Sequence, residues 1–308
     1  MHNPVFCPAC MHNKTLDIGS LKAISGVFVL DEPGHLHSCP CCGLFFRRPY
    51  PDSKTLEQLY SGLDQNIWQE ECRPDQDIIR DCLLSKKTSG KILDIGCFRG
   101  DFLASFPPEF KKYGLEPSMQ AQQSARKKGV TLLGESLETV QSEELGFDAV
   151  FMVDVIEHLP KPAHALKKAA SMLAPGGLLL ITTGNTNALP WRLLRNEYWY
   201  LFPEHVSFFN PQWFKWAAKK NGLSVERIKK FSHFKGHAHE KWKQFFKAAL
   251  YSAWQNVPFG TFSRRILMRS FPFSKVALWK QAPATLLWPD HIFICLKKTA
   301  QEHELPYG

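Results

Sequence analysis

Residues 91–103, Lys-Ile-Leu-Asp-Ile-Gly-Cys-Phe-Arg-Gly-Asp-Phe-Leu, constrain this chain more than any other stretch. A short apolar run reaches Asp94, turns through Gly96 and Gly100, and enters a helix-like segment. That is a strand, a glycine turn and a helix start, where backbone N–H groups can face a bound nucleotide. The spacing is Gly96-x3-Gly100 with Phe98 between, so the G-x-G-x-x-G dinucleotide fingerprint is absent. Tyr113-Gly-Leu-Glu116-Pro then places an acid at the end of a second strand, where a carboxylate can accept both hydroxyls of a ribose. A solvated strand-end glutamate is the plainer reading of Glu116 alone, and it weakens beside Asp94 and Gly96.

The flanking pattern sets the fold class. Apolar runs at 91–95, 112–115, 130–133, 147–153 and 178–183 alternate with helical patterns, most plainly Ala163, Leu166, Ala170 and Leu173 before Pro175-Gly-Gly177. That alternation predicts an α/β domain with a mostly parallel sheet and helices on both faces. Asn210 caps a helix with Pro211 at its first position, ending at Asn221-Gly222. A strand over 223–231 follows, and a last one over 291–296. The expected organisation is a head at 1–50, a helical connector at 51–90, the α/β domain at 91–298 and a loose tail at 299–308.

Five of the nine cysteines fall at 7, 10, 39, 41 and 42. Cys7-Pro-Ala-Cys10 and Cys39-Pro-Cys-Cys42 form two C-x2-C pairs, whose four thiolates suit a structural tetrahedral zinc. Cys41 is an ambiguity, since it can stand in for Cys39 beside Cys42. The competing reading is free thiols in a small core. The N-terminus has no basic stretch followed by an apolar one, and no apolar run is long enough to span a bilayer, so a cytoplasmic protein is expected.

The formal charge of +9 is concentrated. Residues 235–289 hold nine Lys or Arg residues against one acid, Glu240, and eleven of the aromatics. Three readings stand: a helical pair that buries its aromatics, a surface for an anionic membrane or a lipid-linked acceptor, and, behind these, an RNA-binding segment.

Taken together, these motifs resemble class I S-adenosylmethionine-dependent methyltransferases. Asp94-Ile-Gly96-Cys97-Phe-Arg-Gly100 is similar to that family's first motif, and Glu116 to its ribose-binding acid. Gly134-Glu135-Ser136-Leu137 resembles the loop beside the adenine. Phe147 to Leu159, with Asp154 and His158, followed by Leu173 to Thr182, resembles the fourth strand through the fifth. Pro203-Glu204-His205-Val-Ser-Phe-Phe-Asn resembles the lead into the helix before the sixth strand. The resemblance implies a Rossmann-like seven-stranded sheet, S-adenosylmethionine contacts at Asp94, Gly96, Cys97, Gly100, Glu116, Glu135, Ser136 and Asp154, and a helical insertion before the last strand. The cysteine head followed by Cys-Gly-Leu-Phe-Phe-x-x-Pro is similar to a subgroup linked to sugar and surface-polysaccharide methylation. Phe98 stands where the family carries a small residue, which implies a reshaped loop. The chain is also too short for the extra C-terminal domain of the sugar C-methyltransferases.

The implied reaction is methyl transfer to a small-molecule, sugar or lipid-linked glycan acceptor. An RNA methyltransferase and a non-catalytic binding protein of the same fold are the alternatives. A hydroxyl or carbon acid must lose a proton, for which a histidine is the usual base. His205, following Glu204, is the first candidate and His158 the second. For both, a purely packed histidine is the competing reading. Tyr198 and Tyr200 can shape an acceptor pocket.

Overall fold

Runs such as Ile92-Leu93-Asp94-Ile95 and Ala149-Val150-Phe151-Met152 are buried on both faces, as a parallel strand covered by helices on either side requires. In the computed structural model, which describes residues 4–21, 33–51, 73–140, 146–256, 279 and 282–299, these runs are central strands of a seven-stranded sheet. In chain order its strands are β4 (Gly90–Ile95), β5 (Phe110–Leu115), β6 (Thr131–Gly134), β7 (Phe147–Val153), β8 (Leu173–Gly184), β10 (Leu223–Phe231) and β11 (His291–Lys298). The spatial order is β10-β11-β8-β7-β4-β5-β6. The strands from β8 to β6 run parallel, and β11 is antiparallel to both neighbours, with His291 opposite Gly184 and Phe231. This is the expected Rossmann-like seven-stranded sheet.

Helices close both faces: α1 (Pro74–Leu84), α2 (Asp101–Ala104), α3 (Met119–Lys127), α4 (Pro162–Ser171), α5 (Leu189–Leu194), α6 (Pro211–Lys220) and α7 (Ala238–Gln255). The predicted cap of α6 is formed as read: Asn210 Oδ1 accepts from Trp213 N at 3.1 Å, with Pro211 in the first turn. β8 starts at Leu173 and not at 178. Phe147 pairs with Leu173 before a register shift brings Ala149 opposite Leu178, so the Ala174–Gly177 stretch bulges within the strand. Among the described residues no helix is long and apolar enough to cross a membrane.

The N-terminal residues form a second, antiparallel sheet of β1 (Leu16–Ser20), β2 (His35–Ser38) and β3 (Phe45–Arg48). Its fourth strand, β9 (Ser207–Phe208), comes from the far side of the sequence, with Phe45 opposite Phe208 and Phe46 opposite Ser207. Cys7, Cys39, Cys42, Leu44 and Phe46 share one apolar core with β7, β8 and α6. The head is thus joined to the α/β domain through a shared sheet and core. Most of the connector, 52–72, and most of the Phe262–Trp279 stretch lie outside the described residues.

Candidate functional site

The glycine turn after β4 has the conformation its residues dictate. Gly96 sits at φ +78°, and a Cβ there would lie 2.8 Å from Val155 Cγ2, so only glycine fits. Gly96 N and Cys97 N both donate to Leu115 O, tying the turn to β5. The Cys97 thiol packs under the turn against Gly114, where a Cβ would come within 2.4 Å of Cys97 Sγ. Cys97 therefore offers a ligand its backbone, while its buried thiol is pushed up by desolvation. Phe98 follows at φ +48°, a left-handed conformation unusual for an aromatic residue. The helix that the turn enters is short, Asp101–Ala104.

Two acids flank this turn. Glu116, nearly buried, accepts from Phe98 N and Ser118 N, both at 2.8 Å, one on each carboxylate oxygen. Burial raises its pKa against the lowering effect of those two amides. Each oxygen keeps a second acceptor position for a hydroxyl. Asp94 is buried at the end of β4, and its Oδ1 has no hydrogen-bond partner among the described residues. Desolvation, then the nearby Glu116 charge, pushes its carboxyl well above the ordinary range. An unpartnered buried carboxylate oxygen calls for a donor, and an ammonium meets that demand. Gly134, Glu135 and Ser136 leave β6 beside Glu116, with Glu116 N donating to Gly134 O at 3.2 Å; Glu135 is exposed.

At the end of β7, Asp154 is held at φ +51°, with its N–H on Thr182 O. A non-glycine residue in that region is costly unless its surroundings fix it. Here Arg73 fixes it: the guanidinium lies 2.5 Å from Asp154 Oδ2 and 2.6 Å from Asp75 Oδ2. Burial alone would raise the Asp154 carboxyl, but Arg73 and the neighbouring histidines outweigh it and hold it low. His233, just past β10, lies 3.7 Å from Asp154 and 3.9 Å from Asp75. Its ring meets that of His291 edge-on at 4.3 Å. His291 Nδ1 is 2.8 Å from Asp290 Oδ1, and Asp290 Oδ2 accepts from Trp199 Nε1 and Tyr198 OH. Burial opposes charge on His291, yet the Asp290 bond outweighs it and holds the imidazole above its ordinary pKa.

The histidines singled out from the sequence meet beside this network. His158, in a single 3-10 turn (Ile156–His158), and His205 touch edge-to-face at 4.7 Å. The backbone carbonyl of Tyr200 lies 2.9 Å from His205 Nδ1. A carbonyl can only accept, so that nitrogen carries the proton and Nε2 presents its lone pair. Burial keeps His205 well below its usual pKa and lowers His158 to about 4, so both rings are neutral at pH 7. Tyr200 OH accepts from Gly184 N and donates to Glu157, whose carboxyl burial and the Asp154 charge push up to about 8. Glu204 is half-buried; its backbone bonds His158, and the His205 ring is oriented by Tyr200.

The head reaches this site through Arg47. Its side chain is 2% exposed, and its guanidinium donates to His205 O at 3.2 Å, Leu201 O at 3.2 Å, Phe202 O at 2.9 Å and Pro33 O. Arg47 N also donates to Val206 O. In the head itself, Cys7, Cys10, Cys39 and Cys42 bring their sulfurs within 4.8 Å of one another, while Cys41 is exposed and outside the group. The Cys39-or-Cys41 ambiguity thus resolves geometrically to Cys39. Four thiols at this spacing fit a tetrahedral metal.

Arg73, His233, Asp290, His291 and Arg47 were not marked by any local motif. The polar pair Asp290-His291 immediately before an apolar run is the one local signal that could have found the site edge. The rest meet only through the sheet topology.

The sequence matches the family described as "Methyltransferase domain" over residues 67–228, more than half of the chain. The ubiquinone biosynthesis O-methyltransferase of Pectobacterium atrosepticum is 31% identical over 111 residues, 33% of this chain and 46% of that protein. That of Yersinia pestis is 31% identical over 109 residues, 33% and 45% of the two chains. The chain spans about half the length of these curated relatives. Among solved structures, N-methyltransferase NodS of Bradyrhizobium japonicum, in complex with S-adenosyl-L-homocysteine, is 14% identical, with 80% of this chain and 98% of that chain covered and a TM-score of 0.46. A SAM-dependent methyltransferase from Archaeoglobus fulgidus is 19% identical, with 72% and 94% covered and a TM-score of 0.46. By the family match and its own strand order, the chain belongs to the methyltransferase-domain family and has the class I S-adenosylmethionine-dependent methyltransferase fold.

Proposed function

We propose that this chain transfers a methyl group from S-adenosylmethionine to a small-molecule acceptor, with a sugar or lipid-linked sugar hydroxyl as the acceptor class. The observation that carries the reading is the pair of buried acids on either side of the glycine turn, Glu116 with open acceptor positions and Asp94 with an unpartnered oxygen. Glu116 takes the ribose hydroxyls and Asp94 the ammonium of the methionine part, while Arg73 supplies a cation for its carboxylate. Glu135 and Ser136 border the adenine. When bound, S-adenosylmethionine supplies a methyl group already activated by its sulfonium. The protein's task is then to align the acceptor and exclude water.

His205 Nε2 takes the acceptor proton as its oxygen attacks, and the Tyr200 carbonyl keeps the tautomer that makes this possible. Burial, and then the edge-on His158 ring, preserve the neutral form of His205. Relatives named as ubiquinone biosynthesis O-methyltransferases support an oxygen of a small molecule as the acceptor; the sugar class rests on the resemblance of the cysteine head. The four head cysteines hold a structural zinc, since four thiolates leave no open position for chemistry. The test is incubation of the full chain with isotopically labelled donor and a cell extract, followed by mass spectrometry. A labelled small molecule or glycan supports the reading; label confined to RNA overturns the acceptor class.

A further inference from the structure

The described part of the basic, aromatic insertion carries a surface that the site does not use. One side of α7 is anchored in the core: Ala248, Tyr251 and Trp254 are buried, Ser252 Oγ donates to Leu193 O at 3.0 Å, and Tyr251 OH bonds Glu197. Trp288 covers part of another side, stacked on Phe245 at 5.2 Å and edge-on to Trp242 at 5.7 Å, while Leu287 N donates to Gln244. On the side opposite the anchored one Trp242 is 50% exposed and Phe246 60% exposed, one turn apart, with ring centroids 6.2 Å from each other. Even with Trp288 against one edge of Trp242, the two rings leave a contiguous apolar patch open to solvent among the described residues. Lys243 and Lys247, both exposed, form the neighbouring row about 100° round the helix and so border the aromatic pair along one edge, and Lys235 precedes the helix. The one acid in the insertion, Glu240, is engaged by Lys243 and His239 at 3.4 and 3.2 Å.

We infer that this face of α7 docks on an anionic lipid bilayer. An indole and a phenyl ring side by side, flanked by ammonium groups on flexible stems, fit the interface: the rings enter the headgroup boundary while the lysines meet lipid phosphates. Among the described residues the cations bordering the rings are lysines, point charges suited to a diffuse anionic surface and lacking the planar fork that reads bases and single phosphates. The position of the face gives the docking a use. Phe234, 45% exposed, is the residue after His233, which stands at the edge of the Asp154–Arg73 network. A bilayer bound there would bring a lipid-anchored acceptor to the rim of the site; that use rests on the methyl-transfer reading, whereas the docking does not.

The test is co-sedimentation of the full chain with vesicles of phosphatidylcholine alone and of phosphatidylcholine mixed with phosphatidylglycerol. Binding to the mixed vesicles and not to the neutral ones is expected. Trp242→Ala with Phe246→Ala should weaken it by about tenfold or more. Lys243→Gln with Lys247→Gln should weaken it by roughly fivefold per lysine at low salt. Bromine-labelled lipid should quench a fluorescence component that Trp242→Phe removes. These residues are exposed, so an unchanged melting temperature verifies that the variants fold. Equal partition into neutral vesicles, no sedimentation, or full binding by the aromatic double variant overturns the inference, as does single-stranded RNA competing the chain off the vesicles through the same lysines. Donor titration on the same samples separates the two readings: vesicle binding without donor binding removes only the methyl-transfer reading, and the converse removes only the docking.

Discussion

Replacing Arg47 with Met tests whether the head braces the acceptor side of the site. The guanidinium is almost fully buried and keeps its charge at pH 7, since burial lowers it only to about 10. Among the described residues no carboxylate forms a direct ion pair with it, although the nearby Glu204 charge supports it; it is held by the carbonyls of Pro33, Leu201, Phe202 and His205. Hydrogen bonds from a charged donor contribute roughly 1.5–3 kcal/mol each, and the desolvation of the guanidinium offsets several kcal/mol of that sum. Methionine fills much of the stem's volume but leaves the carbonyls without their donor, two of them in fully buried bonds. The net loss is about 3–5 kcal/mol, which lowers the melting temperature by roughly 6 °C or more. Loss of the Leu201 and His205 anchors frees the segment that sets the His205 ring, so turnover with labelled donor should fall further than donor affinity. Calorimetry for the donor, scanning calorimetry for stability and the labelling assay for turnover read the three quantities separately. A melting temperature within about 2 °C of the parent, or turnover and donor affinity falling together, would refute the bracing argument.

Cys42→Ser should remove bound zinc and lower the melting temperature, whereas Cys41→Ser should keep both, as measured by metal analysis and scanning calorimetry; zinc loss in both variants would sink the four-cysteine assignment. Glu157 supplies a pH signature. Its carboxyl is raised in the folded chain to about 8, so between the ordinary glutamate range and that value the native state holds a proton the unfolded chain has lost, and stability drains away as pH rises through this window. Glu157→Gln should flatten that decline, and an identical pH profile would contradict the burial argument. His205→Ala should cut methyl transfer by about 100-fold or more while donor affinity changes little; equal loss of both would end its assignment as base.

The sheet and the donor side of the site were legible because their signals are local. Asp94, Gly96 and Glu116 lie within one strand-turn-helix-strand unit, and the close approach of Gly96 to Val155 leaves no room for another residue. Asn210 and Pro211 fixed the start of α6 for the same reason. The acceptor side was read less completely. His158 and His205 stand in recognisable segments, but the contacts that define them come from Tyr200, Glu157 and Arg47, and the last is 158 positions from the His205 carbonyl it holds. Asp290, His291 and His233 converge only because β11 inserts antiparallel between β8 and β10. The head read as a unit of its own, whereas β9 completes its sheet, and two residues of pairing leave almost no periodicity to detect.

The central claim is that the paired acids around the glycine turn bind S-adenosylmethionine. Titration of the purified chain with S-adenosylhomocysteine, which cannot react, measures it directly by calorimetry. One site per chain is expected, weakened by about 10- to 100-fold in Glu116→Gln, which keeps the shape of the side chain but loses the charge that strengthens its bonds to the ribose hydroxyls. No heat of binding at millimolar ligand, or equal affinity in Glu116→Gln, would contradict it.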